Sequence, residues 1–120
     1  MEIREMQAQV DEWIGQFEEG YFSPPVMILR LAEELGELSR EVNHRYGPKT
    51  KKPTEPEGSL AMELGDLLFV LVSFANALGI DLETAFTAVM AKYRHRDGQR
   101  WTPKRQDEHR EAPSSPPRSE

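Results

Sequence analysis

The stretch SLAMELGDLLFVLVSFANAL, residues 59–78, decides the fold of this chain. At the helical period, its apolar side chains cover nearly the whole circumference of one helix, which we expect to start near Ser59 and to stop at Gly79. A helix that is apolar all round must be covered all round. The other helices of so short a chain are too few for that, so we expect part of this surface to meet a second subunit.

Three further helices are predicted on either side of this stretch. Ser23 followed by two prolines is typical of a helix start, and Gly20 is a suitable stop for the helix before it. The predicted helices span residues 3–17, 24–46, 59–78 and 82–96, with no strand pattern between them. The pattern predicts an all-α, four-helix domain over residues 1–97, with a mobile loop at about 47–58 and a flexible, polar and proline-rich tail over 98–120.

Composition excludes several classes of function. The 120 residues include 21 acidic and 15 Lys or Arg side chains, so the net charge of −6 argues against nucleic acid as a partner. With no cysteine, the chain has neither disulfides nor thiolate metal sites. No apolar run reaches the roughly 20 residues of a membrane span. We therefore expect a cytoplasmic protein with no membrane partner.

Two acidic segments carry the chemistry: Glu33-Glu34-Leu-Gly-Glu37 and Glu63-Leu-Gly-Asp66. Residues three apart lie on one face of a helix, so each segment presents a pair of carboxylates. These acids are solvated surface groups on the simplest interpretation, but both pairs border apolar stripes. Like charges beside a core repel each other and need a compensating positive charge.

A metal ion is the most economical source of that charge. Every candidate ligand is a carboxylate oxygen, and no His stands three residues after any of these Glu residues, as di-iron bundles require. Hard oxygen ligands favour Mg²⁺, with Mn²⁺ as a substitute, over zinc or iron.

With these segments the sequence resembles the MazG family of nucleotide pyrophosphohydrolases, whose signature is E-E-x-x-E followed by E-x-x-D. The similarity extends from about Gln7 to about Trp101. It implies a helical bundle completed by dimerisation, as a homodimer or homotetramer, and Mg²⁺-dependent cleavage of nucleoside triphosphates into monophosphate and pyrophosphate. It also implies metal ligands, which here are Glu34, Glu37, Glu63 and Asp66. Glu33 would then hold a second metal, position the water or accept its proton.

Residues outside the acidic segments are candidates for substrate binding. Lys92 and Arg96 share a face late in the fourth helix, where they either stabilise the helix dipole or bind phosphate, and the resemblance favours phosphate. Trp13 and Phe17 share a face of the first helix and are candidates to stack on a base, although aromatic residues at this spacing more often belong to the core. Asn76, within an apolar segment, needs a hydrogen-bond partner if it is buried, and substrate is one candidate.

Two alternatives to a general nucleoside triphosphate pyrophosphohydrolase stay open. One is a pyrophosphatase of the same superfamily that prefers dUTP or dCTP. The other is a non-catalytic oligomerisation module in which the acids hold a structural cation. Among physiological roles, the removal of non-standard nucleotides is compatible with the predicted chemistry.

Overall fold

The structure is a computed structural model that describes residues 1–47 and 59–105. It contains the helices α1 (Ile3–Gly15), α2 (Pro24–Tyr46), α3 (Leu60–Ala77) and α4 (Leu82–Asp97), and no strand within the described residues. The all-α prediction is therefore confirmed. Residues 48–58 of the predicted loop and 106–120 of the predicted tail lie outside the described residues, and the domain boundary at 97/98 stays a prediction.

The ends of the helices follow local sequence signals. The Ser59 hydroxyl accepts a hydrogen bond of 3.2 Å from the Met62 amide and caps α3. Gly20 and Gly79 adopt left-handed backbone conformations with φ of 62° and 69°, which side chains disfavour, after α1 and α3 respectively. Ser23 occupies the predicted N-cap position of α2, but its side chain makes no capping hydrogen bond. The start of α2 therefore depends on the fixed backbone angle of its first proline.

The core of the first compact unit, residues 1–83, surrounds α3. Both α1 and α2 pack against this helix, and Val72 near its middle is almost completely buried. The other buried apolar side chains of this core are Val10, Met27, Leu60, Val70 and Ala75. Within one chain α3 is therefore covered only in part. Leu64 and Leu71 on this helix remain 54% and 40% exposed.

A polar network joins α1, α3 and the turn after α1. The Asn76 amide donates to the Gln7 carbonyl at 2.9 Å and to the Tyr21 hydroxyl at 3.0 Å. The Gln7 amide donates back to the Asn76 side-chain oxygen at 2.8 Å, and the Tyr21 hydroxyl donates to Asp11 at 2.7 Å. Because each of these groups is paired, the network fixes Tyr21 against the core without leaving a buried polar atom unsatisfied.

The second compact unit begins at Thr84 and contains most of α4. No residue of α4 is buried, and Phe86 is 58% exposed. Its apolar side chains, which recur at helical spacing, thus remain available for a partner surface.

By length and composition alone, α3 could cross a membrane, since its 18 residues have a mean hydropathy of 1.6. The core helix of a water-soluble protein passes the same test. Here α3 packs against α1 and α2, and its first half carries Glu63 and Asp66. The sequence expectation of no membrane span considered only uninterrupted apolar runs. Glu63 and Asp66 interrupt the apolar run of α3, so that criterion did not select this helix.

Candidate metal centre and the neighbouring pocket

A cluster of three carboxylates lies between α2 and α3. Glu34 and Glu37 are one turn apart on α2, and Glu63 faces them from α3. One oxygen from each lies within 4.8 Å of the other two, a spacing that suits a single metal ion. The structure therefore brings together three of the four predicted ligands.

Two oxygens of this acidic cluster are buried without a partner. They are Oε2 of Glu34 and Oε2 of Glu63, one from each helix. A buried carboxylate oxygen that accepts no hydrogen bond is costly, and no donor within the described residues serves these two oxygens. These two oxygens are the structural sign that the donor set fits a cation.

The electrostatics of the acidic cluster agree with this. Burial raises the pKa of Glu34, and the charges of Glu37 and Asp66 raise it further, while that of Arg30 lowers it. Burial likewise raises the pKa of Glu63, again with contributions from Glu37 and Asp66. Without a cation, both carboxyl groups thus hold their protons more tightly than exposed ones do.

The remaining predicted acids stand at the edge of the cluster. Asp66 is exposed, although it is near enough to raise the pKa of Glu34 and of Glu63. Glu33 is exposed and lies outside the group of three. Its position next to Glu34 suits a residue that touches water rather than one that completes the same coordination sphere.

Gly36 and Gly65, within the two acidic segments, each have open space where a side chain would begin. A Cβ atom added to either residue would meet nothing within 4 Å. Close helix approach is one reason for a glycine in a helix, and among the described residues no helix approaches either of these two glycines closely. Access for a ligand, or for a second subunit, remains as an explanation.

An apolar pocket of about 350 Å³ opens near the start of α2, about one helical turn before Glu34. Its walls come from α1, the α1–α2 turn, the start of α2 and the middle of α3. The aromatic residues of its lining are Trp13, Phe17, Tyr21, Phe22 and Phe69. A space of this size with aromatic walls suits a planar ring.

Trp13 and Phe17 lie in this pocket as a pair. Their ring centroids are 5.2 Å apart, with an interplanar angle of 78°, which is an edge-to-face contact. They are 56% and 48% exposed. Within the single chain neither ring therefore belongs to the buried core, and both line the pocket.

Asn76 does not line this aromatic pocket. Its amide is used by Gln7 and Tyr21, so its polar atoms support the pocket wall instead of entering the space. Its predicted contact with a base stays a prediction.

The two predicted phosphate-binding residues lie on α4, in the second unit. The Lys92 amine and the Arg96 guanidinium both lie against the Tyr93 ring, at 5.2 and 5.5 Å from its centroid. Arg96 also pairs with Asp97 at 3.0 Å. Lys92 is thus the less engaged of the two, and phosphate binding stays a prediction for both.

Sequence reasoning passed over two charged residues near the site. Arg30 lines the pocket one turn before Glu34, and Glu41 is only 8% exposed one turn after Glu37. Glu41 also contributes to the raised pKa of Glu63. Spacing of four residues from the acidic segment was the signal available for both, but burial and pocket position follow from tertiary packing.

The described helices thus form an all-α protein with a carboxylate cluster that could hold a cation and an aromatic pocket whose size suits a planar ring. The model of the MazG nucleotide pyrophosphohydrolase domain matches residues 22–101. The chain therefore belongs to the MazG family of nucleotide pyrophosphohydrolases and is a hydrolase. This confirms the resemblance carried by the two acidic segments.

Individual relatives agree with the family. The chain is 60% identical over 102 residues to YpjD of Bacillus subtilis (strain 168), described as uncharacterised, covering 85% of this chain and 92% of that protein. The crystal structure of the proposed pyrophosphatase YPJD from Bacillus subtilis matches with a TM-score of 0.71 at 59% identity, covering 78% of this chain and 95% of that one. A Bacillus-conserved MazG protein, described as a nucleotide pyrophosphohydrolase, matches with a TM-score of 0.70 at 54% identity over 81% and 94% of the two chains.

Proposed function

We propose that this protein hydrolyses nucleoside or deoxynucleoside triphosphates to the monophosphate and pyrophosphate with the help of Mg²⁺, in the cytoplasm. The observation that carries the proposal is the carboxylate cluster, in which Glu34 and Glu63 each keep a buried oxygen without a partner. Family membership supplies the reaction class, and the cluster supplies a place for the cation that this class uses.

The donor set fits Mg²⁺, or Mn²⁺ in its place. Glu34, Glu37 and Glu63 would hold the ion, and the exposed carboxylate of Asp66 would complete the set at the edge. All of these ligands are hard oxygens, and Mg²⁺ characteristically shares its coordination sphere between carboxylates, waters and phosphate oxygens. When bound, the ion neutralises phosphate oxygens and lowers the pKa of a bound water.

The residues around the cluster orient the reaction. A water oxygen forms a bond to the α phosphorus, the bond to the bridging oxygen breaks, and pyrophosphate leaves with the electron pair. Glu33 is exposed and adjacent to Glu34, so its carboxylate can position that water, accept its proton or hold a second metal. The Glu33→Gln variant, which retains the size of the side chain but not its charge, tests whether hydrolysis needs the Glu33 carboxylate in one of these three roles.

The aromatic pocket is the proposed base site. Trp13 and Phe17 present half-exposed rings, and an offset stack on such faces would hold a planar base without specifying it. Lys92 and Arg96 are proposed to contact the phosphates, and the weaker engagement of Lys92 makes it the first of the two to test. A preference for uracil or cytosine would come from polar contacts with the base, and a panel of nucleotides can rank the bases.

Self-association is part of the proposal. Apolar side chains on α3 and α4 are left uncovered, including Leu64 and Phe86, which are 54% and 58% exposed. Covering these surfaces with a second copy would give a homodimer or homotetramer and satisfy the expectation that α3 is buried all round.

The test is to separate the products formed from each common ribo- and deoxyribonucleoside triphosphate, with Mg²⁺, with Mn²⁺ and with EDTA. Monophosphate plus pyrophosphate that disappears with EDTA and in Glu37→Gln supports the proposal, and the rates rank the bases. Diphosphate plus orthophosphate would contradict it. The matched control is Glu12→Gln, an exposed acid on α1 outside the site, which should retain the wild-type rate.

A further inference from the structure

One cation lies between the aromatic pocket and the acidic cluster. Arg30 lines the pocket, and its guanidinium carbon is 5.7 Å from the centroid of the Phe22 ring. It also precedes Glu34 by one turn of α2, and its charge acts on that carboxyl group. Arg30 therefore lies next to both the aromatic pocket and the acidic cluster.

The guanidinium of Arg30 contacts the Phe22 ring but makes no hydrogen bond within the described residues. The side chain is exposed, and its contact with Phe22 is a cation–π contact rather than a hydrogen bond. Within residues 1–47 and 59–105, its N–H donors have no hydrogen-bond partner on the protein. A guanidinium whose N–H donors are not used by these protein residues can bind two oxygens of an anion at once.

The chemistry of the proposed substrate needs a cation at this point. Phosphate oxygens that approach Glu34 and Glu37 would be repelled by their carboxylates. A cation in the acidic cluster offsets part of this repulsion on the far side of the phosphate. On the near side, toward the pocket, Arg30 is the cationic residue among the pocket lining.

We propose that Arg30 contacts the α phosphate of a nucleotide whose base occupies the aromatic pocket, and so sets the distance between the base site and the cation site. This inference rests on the proposed function, because it takes a nucleotide as the ligand. It adds a substrate-contacting residue that lies outside the acidic segments and the basic pair on α4. It also assigns a purpose to the Arg30–Phe22 contact, which holds the guanidinium at the pocket mouth.

The test compares nucleosides with their monophosphates in EDTA, so that binding is measured without the cation and without turnover. Trp13 in the pocket is the fluorescent reporter, and Trp101, the other tryptophan of the sequence, is replaced by Phe throughout so that one tryptophan remains. The probes are 2′-deoxycytidine and its 5′-monophosphate, with matched pairs for the other common bases. The variants are Arg30→Ala and Arg30→Lys, and the control is Arg40→Ala, an exposed arginine further along α2.

The proposal expects Arg30→Ala to weaken monophosphate binding by about fivefold or more while nucleoside binding is unchanged, since one charge-assisted hydrogen-bonding contact is lost. Arg30→Lys should recover part of the loss, and Arg40→Ala should bind both ligands as the parent does. Equal losses for nucleoside and monophosphate would mean that Arg30 only packs against Phe22, and no loss would mean that it does not touch phosphate. Either result overturns the proposal.

Failure of the proposed function has a different signature. If the parent protein binds neither nucleosides nor monophosphates, the pocket is not a base site, and the inference about Arg30 falls with it. If the parent binds both but cleaves triphosphates at another bond, the cleavage assignment fails while the Arg30 comparison still decides its own question.

Discussion

Glu34 on α2 and Glu63 on α3 bring carboxylate oxygens within 4.8 Å of each other, and each keeps its Oε2 buried without a hydrogen-bond partner. Two acids that lie 29 positions apart in the sequence thus share a site where their negative charge is not compensated by a hydrogen bond to these oxygens. A bound cation would compensate this charge, so the metal-free protein and the protein with the proposed cation should differ in measurable ways.

Removing one of these charges should have opposite effects with and without a cation. In EDTA, Glu63→Gln should retain or raise the melting temperature, because it relieves repulsion from Glu37 and Asp66. When the Mg²⁺ concentration is about 100 times its dissociation constant, the free energy of unfolding of the wild-type protein should rise by about 2.7 kcal/mol. That of the variant should rise much less. Thermal unfolding with each ion measures both. If Glu63→Gln gains as much as wild type from Mg²⁺, the cluster is not the cation site.

The metal-free protein should become more stable as the solution is acidified moderately. The pKa values of Glu34 and Glu63 are raised in the folded state, first by burial and then by the neighbouring carboxylates. The folded state therefore binds these protons more tightly than the unfolded state. Their stabilising contribution is present below the unfolded pKa and is lost as pH rises through the folded pKa. Unfolding in EDTA between about pH 7 and about pH 5 measures this.

Mg²⁺ should remove that pH effect, because a bound cation competes with protons for the same oxygens. The double variant Glu34→Gln/Glu63→Gln serves as the control, since it lacks both raised groups. A metal-free protein whose stability falls steadily with acidification over this range, like that of the double variant, would contradict the assignment.

Asn76→Ala should destabilise the fold. The substitution leaves the Gln7 carbonyl and the Gln7 amide without their partner on α3, at a cost of about 1–3 kcal/mol. Tyr21 would also lose a donor, so the pocket wall should loosen. Urea denaturation measures the change, with Asn43→Ala as a control that removes only a local bond to the Ser39 carbonyl. A variant as stable as wild type but impaired for one base would instead favour direct base contact.

Gly36→Ala should stabilise the isolated chain by up to about 1 kcal/mol, because alanine is the better helix former and its Cβ meets nothing. The matched variant Gly20→Ala should destabilise it, since Gly20 has a φ of 62°. Denaturation at low protein concentration compares the two. A destabilised Gly36→Ala protein would contradict this expectation. It would show that the space beside Gly36 is occupied, for example by close packing against a second copy.

Local structure was accessible from the sequence because its signals are local. The apolar period, Ser59 and the two glycines that follow α1 and α3 predicted the helices to within about two residues. The pairing of carboxylates along each helix was equally accessible, since it needs only the helical repeat. The convergence of α2 and α3 on one cluster followed from the order of the acidic segments in the family.

Tertiary features were less accessible. The pocket joins α1 to a turn and to α3, and no sequence spacing indicates that Tyr21 and Phe22 would meet Trp13 there. The same holds for Asn76, whose partners lie 55 and 69 residues away in the chain. The spacing of Trp13 and Phe17 left base stacking and the core as alternatives, and their half-exposed positions follow from tertiary packing, because α1 is only partly covered within one chain.

The most direct test of the central claim is hydrolysis of the best triphosphate in isotopically labelled water with Mg²⁺, followed by mass measurement of both products. Attack at the α phosphorus predicts that the label enters the monophosphate, that pyrophosphate stays unlabelled, and that Glu63→Gln forms neither product at a comparable rate. Label in pyrophosphate, or an unchanged rate in Glu63→Gln, would contradict the account.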